Sequence, residues 1–176
     1  MQIPALAGLL GTLILCVGLR AQAPPPVTAG PNAPPAPTQP LPYSHRFHVG
    51  DLGLDCADCH TNPGGGKLMT YPPTETCASC HRTNPAGSKS LQLLVTMAGS
   101  QKPIPWVRVY QVPDYVFWQH GPHLAAKVAC VECHGPVAER DVLSLETDVT
   151  TMRGCQRCHE KRQVFTDCGD CHEPRQ

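Results

Sequence analysis

Cys56-Ala57-Asp58-Cys59-His60, Cys77-Ala78-Ser79-Cys80-His81, Cys130-Val131-Glu132-Cys133-His134, Cys155-Gln156-Arg157-Cys158-His159 and Cys168-Gly169-Asp170-Cys171-His172 repeat one pentapeptide five times. They take up every cysteine but Cys16. Two thiols and an imidazole stay constant while the intervening residues vary. Cys-x-x-Cys-His is the attachment signature of c-type haem. The two-residue spacer sets the thiols one helical turn apart, each thiol adds across one vinyl group of a porphyrin, and the next residue brings an imidazole under the iron. Zinc held by Cys-x-x-Cys pairs and disulfide or thioredoxin-like chemistry are the competing readings. Neither needs a histidine after every pair, and an odd number of pairs leaves one over in any four-cysteine zinc scheme. The repeat therefore predicts five haem c groups, with His60, His81, His134, His159 and His172 as proximal ligands.

The chain has 176 residues, 20 prolines and only 5% aromatic residues. That is a one-domain length with little material for a polypeptide core. The expected fold is mostly coil with short α-helices and little or no sheet, its core made of packed haems. Without them the chain is expected to be unfolded, as small metal-dependent domains are. Lys plus Arg and Asp plus Glu are 14 each, and two propionates per haem would add about ten negative charges for basic side chains to pair with. Arg46, Arg82, Arg108, Arg153 and Arg157 are candidates, although each reads equally well as solvated surface. No basic run points to nucleic acid.

Three regions follow one another. Residues 1–21, with an uncharged apolar stretch from Ile3 to Leu19, read as a signal peptide or amino-terminal anchor. Cleavage is available at Leu19-Arg20-Ala21, and Cys16 is a weaker lipid acceptor because Leu15 precedes it. Residues 22–42 are a proline-rich linker, able to reach on the order of 60 Å if fully extended as polyproline II. Such a spacer suits a membrane tether, and a disordered tail serves as well. Residues 43–176 form the haem domain. Covalent haem attachment places it in the periplasm, or otherwise outside the cytoplasmic membrane.

That domain is internally repeated. Units 43–86 and 117–160 each open with an aromatic-flanked His-x-x-His, in Tyr43-Ser44-His45-Arg46-Phe47-His48 and in Phe117-Trp118-Gln119-His120-Gly121-Pro122-His123. Each continues with two Cys-x-x-Cys-His motifs, and residues 161–176 append a fifth. Between the units, Ser88 to Gly99 predicts a helix with Leu91, Leu94, Val95 and Ala98 on one face and Ser88 as its cap. Pro105 to Val112 alternates and predicts an extended segment.

Nine histidines are present. Five are proximal, so His45, His48, His120 and His123 remain as distal ligands. Residues three apart on a helical turn share a face but are staggered along the axis, so one pair can serve two haems. Four irons are then bis-His and one lacks a nitrogen. Its sixth ligand is a methionine, water or a group from another chain. Met152, beside the fourth motif, is the preferred candidate over Met69, in a glycine-rich loop, and Met97, whose place on the predicted helix suits packing. Met/His ligation raises the reduction potential; an open iron would instead bind small ligands.

The aromatic-His-x-x-His that precedes Cys-x-x-Cys-His resembles the class III multihaem cytochromes c. The resemblance is closer still to the pentahaem subunit of the quinol-oxidising alternative complex III. It is carried by Pro103-Ile104-Pro105-Trp106-Val107-Arg108-Val109, Pro113-Asp114-Tyr115-Val116-Phe117, His120, His123, Cys130 to Gly135 and Met152. It implies that His45 serves the haem of Cys56 and Cys59, that His120 serves the haem of Cys130 and Cys133, and that His48 and His123 serve neighbouring haems. It also implies a ligand role for Met152.

The function expected is electron transfer between respiratory partners, either other cytochromes or a membrane quinol-oxidising complex, without catalysis. The alternatives are a multihaem reductase with one open iron, a subunit of a quinol-oxidising complex, and a conductive assembly in which one subunit completes a haem of the next.

Overall fold

The computed structural model describes residues 34–62, 64–82, 88–145 and 148–172. The apolar stretch 3–19, Cys16 and most of the proline-rich linker lie outside them. Among the described residues there are helices and coil and no strand, as expected from a chain punctuated by proline. No described helix is long and apolar enough to cross a membrane.

A one-turn π-helix, Arg46–Asp51, carries the first His-x-x-His. Then come α1 (Cys56–Cys59), α2 (Thr74–His81), α3 (Lys89–Gly99), α4 (His120–Ala125), α5 (Val131–His134), a 3-10 turn (Val137–Glu139), α6 (Met152–Lys161) and α7 (Cys168–His172). Five of the seven α-helices are the haem motifs themselves. Their variable residues do local work. Asp58 Oδ2 accepts from Asp55 N at 2.9 Å and Glu132 Oε1 from Ala129 N at 3.1 Å, so a carboxylate inside the motif satisfies a free amide at the helix start.

The predicted central helix is α3. Ser88 caps it, its Oγ accepting from Leu91 N at 3.4 Å. Leu94 is buried with Leu41 and Ile104, and Cys77, Leu91, Met97 and Trp106 pack around them. Helices α2 and α3 pack together, and Thr74 Oγ1 donates to Lys102 O at 2.8 Å across their ends. Met97 thus takes the packing role its position suggested.

Helix α3 ends at Gly99, where the sequence reading stops it, but glycine does not make the closures. Gln101, Lys127 and Gln163 take φ of 55°, 55° and 56° after α3, α4 and α6. The following amides, of Lys102, Val128 and Val164, donate back to Met97, His123 and His159 carbonyls at 3.1, 3.0 and 3.0 Å. This is the Schellman closure, usually made with glycine, and the sequence reading did not pick out these three residues.

Segment 105–112, for which alternation predicted an extended run, is coil with a bend at Val109 and pairs with no strand among the described residues. Gln39 stands in for one: its amide donates to Val107 O at 2.8 Å and accepts from Val107 N at 2.9 Å.

Candidate functional site

Buried apolar residues are few: Leu41, Ala78, Leu94 and Ile104. Most of the large apolar side chains that are exposed, including Phe47, Leu54, Leu68, Phe117, Leu124, Val131 and Phe165, face one interior cavity of about 2200 Å3. Single-ligand pockets hold roughly 300–1,000 Å3, so this space suits several large groups. All nine histidines line it, as do nine of the ten cysteines of the motifs. Cys158 faces a smaller neighbouring hollow with Arg157, Lys161 and Arg162. No disulfide joins any of the ten motif cysteines to another.

Eight of the histidines face each other in pairs across the cavity. Ring centres lie 6.5 Å apart for His45 and His60, 6.0 Å for His48 and His81, 6.4 Å for His120 and His134, and 6.2 Å for His123 and His159. Two imidazoles bonded to opposite sides of one metal ion, each about 2 Å from it, hold their ring centres roughly 6.3 Å apart. The spacing therefore fits an iron between the two rings of each pair.

Local chain geometry aims these rings. His48 Nδ1–H donates to Ser44 O at 2.8 Å and His123 Nδ1–H to Gln119 O at 2.7 Å, each four residues back. His60, His120 and His159 donate to the carbonyls of Thr70, Lys67 and Phe165 at 2.9, 2.8 and 2.8 Å. A ring whose Nδ1 carries the proton presents Nε2 as the metal ligand. Burial, with His60 and His48 adding to it, pushes the His45 imidazole down to about 4. Burial pushes His134 down to about 4 as well, with His120 and His60 contributing. Both stay neutral, the form that coordinates.

His172 differs. Its Nδ1–H points to Tyr115 O at 3.4 Å and the Tyr115 ring lies 6.0 Å away, while no imidazole among the described residues faces it. Met152, the first residue of α6, is exposed to the cavity. Met69 also lines it, and its carbonyl accepts from Arg108 Nη1 at 3.5 Å.

Polar groups in the wall fit carboxylates. The buried Trp106 Nε1–H has no acceptor among the described residues, and a propionate is the acceptor such a donor suits. Of the five arginines considered from sequence, only Arg108 lines the cavity, its guanidinium 4.9 Å above Tyr71. Arg46 pairs with Asp141 at 2.9 Å and Arg157 donates to Asp148 O at 3.3 Å. Trp106, which the sequence reading did not select, is better placed; Lys67, also unselected, lines the cavity too, with its ammonium on Pro113 O at 3.2 Å and Asp114 Oδ1 at 3.4 Å. Lys67 is marked only by its place in the loop after the first motif.

The units are locked together by backbone. His120 N and Gly121 N donate to Gly66 O and Gly65 O, both at 3.0 Å, hanging the second His-x-x-His from the loop of the first unit. Phe117 N donates to Cys171 O at 2.6 Å, tying in the fifth motif. Arg162 Nη2 reaches both Glu132 carboxylate oxygens at 3.0 and 2.9 Å, joining α6 to α5.

Residues 100–166 match the Cytochrome c552 family, a stretch that contains the second repeat unit. The chain is also 28% identical over 142 residues to the multiheme cytochrome c subunit of a menaquinone reductase from Nitratidesulfovibrio vulgaris, covering 69% of this chain and 67% of that one. Both likenesses run through the motifs whose imidazoles line the cavity, and the chemistry they share is covalent haem. The chain is thus similar to multihaem c-type cytochromes, and both likenesses support covalent haem and a role in electron transfer.

Proposed function

We propose that this cytochrome carries five haem c groups outside the cytoplasmic membrane and relays electrons along them between redox partners. The observation that carries the reading is the set of four facing imidazole pairs, with His172 alone lacking one. In this assignment His45/His60, His48/His81, His120/His134 and His123/His159 ligate four irons. His172 and Met152 ligate the fifth. The cysteines of each motif supply the thioether bonds.

The haem irons supply one-electron chemistry. Carbonyl hydrogen bonds hold both rings of the His123/His159 pair and one ring of each other pair, His60, His48 and His120, and apolar walls surround them, so little rearrangement would accompany a change of charge. Trp106 Nε1–H is placed to donate a hydrogen bond to a propionate.

The proximity of thiols from different motifs supports a linear order, second–first–third–fourth–fifth. Cys59 lies near enough to raise the Cys77 thiol, Cys130 that of Cys56, Cys158 and Cys155 that of Cys133, and Cys171 that of Cys155, each adding to the effect of burial. Met152 opens the helix that carries Cys155, the thiol on which Cys171 acts, which supports its assignment to the fifth motif. The second and fifth motifs are then the two ends, where electrons enter and leave. One partner, on the likeness to the menaquinone reductase subunit, is a quinone-linked membrane complex.

Near-infrared magnetic circular dichroism of the oxidised, haem-loaded protein tests the ligands, with intact mass for the haem count. Five haems, four bis-His and one His/Met, are expected, the last lost in Met152→Ala. A high-spin component in the unmutated protein would refute the Met152 assignment and make a reductase with an open iron the better reading.

A further inference from the structure

An aromatic residue stands two places before the first histidine of each His-x-x-His, Tyr43 in one and Trp118 in the other. Each is half-buried and wedged between the two imidazoles that follow. The Tyr43 ring meets His45 edge-on at 4.8 Å and 85°, and lies against the face of His48 at 4.4 Å and 19°. The Trp118 ring meets His120 at 4.1 Å and 83°, and His123 at 5.4 Å and 25°. The match holds although the first pair lies at a π-helix and the second on the α-helix α4, so it does not follow from backbone type.

A plane nearly parallel to one imidazole and nearly perpendicular to the other sets those two imidazoles close to perpendicular. The consequence appears across the cavity. The rings met edge-on stay near-parallel to their facing partners, at 15° for His45/His60 and 4° for His120/His134. The rings met face-on are turned away from theirs, at 60° for His48/His81 and 43° for His123/His159. The single Nδ1–H bond of His48 or His123 leaves the ring free to swivel about that bond. The aromatic face removes this freedom.

We propose that Tyr43 and Trp118 are positioning residues that fix the ring planes of His48 and His123, and so divide the bis-His irons into a near-parallel pair and an inclined pair. This rests on the four bis-His sites proposed above. Each imidazole donates π density into the iron d orbital perpendicular to its plane. Near-parallel rings load one orbital of the pair and split it from the other. Inclined rings load both, so the orbitals approach degeneracy. Ferric iron of the first kind gives a rhombic electron paramagnetic resonance spectrum; the second gives a broad signal with a much larger maximum g. Axial geometry is also one of the levers on potential, so alternating classes would vary the potential along the relay.

The test is electron paramagnetic resonance of the oxidised, haem-loaded protein with spin quantitation, beside the magnetic circular dichroism count of bis-His haems. Two large-g haems and two rhombic ones are expected. Tyr43→Leu should convert one large-g haem and leave the other, Trp118→Leu should convert the second, and Tyr43→Phe, which keeps the stacked face, should match the unmutated spectrum. An unchanged spectrum in both leucine variants would overturn the positioning role. So would an unmutated protein with four bis-His haems and no large-g signal, which decides the matter even if a leucine variant fails to take up haem. Fewer than four bis-His haems by dichroism would instead overturn the ligand assignment on which the proposal rests.

Discussion

Replacing Gly121 by alanine tests whether the His120-Gly121-Pro122-His123 turn must press against the loop of the first motif. A Cβ at Gly121 would sit 2.5 Å from Gly65 O, 3.1 Å from its Cα and 3.2 Å from its C. All three are backbone atoms, so no side chain can swing aside. Ordinary contact requires α4 and the loop to separate by about 1 Å. The bonds His120 N to Gly66 O and Gly121 N to Gly65 O, at 3.0 Å, and His120 Nδ1 to Lys67 O, at 2.8 Å, would then be stretched past useful length. Overpacking costs about 1–3 kcal/mol and each weakened hydrogen bond about 0.5–1.5 kcal/mol. Separation relieves the first at the expense of the second, so the total should be roughly 2–4 kcal/mol. For a chain this long the midpoint of thermal unfolding should fall by roughly 5–15 °C. His120 would move away from His134, so dichroism should count one bis-His haem fewer. Gly99→Ala is the control, because nothing lies within 4 Å of its Cβ position, and it should be neutral or slightly stabilising. Gly121→Ala with both the midpoint and the haem count of Gly99→Ala would refute the close-approach argument.

Other outcomes follow from the same geometry. The Asp141 carboxyl is held below the usual range by the Ser44 hydroxyl and then by Arg46. Its contribution is therefore present above the unfolded value of about 3.9 and lost as pH falls through and below it. The stability gap between the native chain and Asp141→Asn should close on acidification towards pH 3, and a gap that stays constant with pH would be inconsistent with this. Arg162→Ala should lower stability only slightly, and less at high salt, because its bidentate pair with Glu132 is well exposed; chemical denaturation at two ionic strengths checks it. Gln163→Gly should raise stability by roughly 0.5–1 kcal/mol, because Gln163 holds φ at 56° where glycine has no Cβ penalty. A lower midpoint would show that the Gln163 side chain makes a compensating contact.

Much of the site could be read from the chain because covalent haem chemistry is local. Two thiols and an imidazole must occupy one helical turn, so Cys-x-x-Cys-His announces its own role and its own helix. Helix α3 was legible for a similar reason, since its apolar face and Ser88 cap are short-range features. The polar closures at Gln101, Lys127 and Gln163 were not, because side chains of that kind carry no preference for positive φ and only the surrounding packing imposes it.

Sequence by itself determined the five Cys-x-x-Cys-His motifs, the recurrence of His-x-x-His before two of them, and the shortage of aromatic material for an ordinary core. Tertiary structure decided which imidazole faces which, that Lys67 and Trp106 rather than most of the arginines line the cavity, and the angles at which the rings meet. Those angles depend on chain segments far apart in sequence. Gly65 and Lys67 hold His120, and Tyr115 and Phe117 hold the fifth motif. Pairing across a shared cavity is a long-range property, set by where the backbone crosses itself, and no local pattern in the chain encodes it.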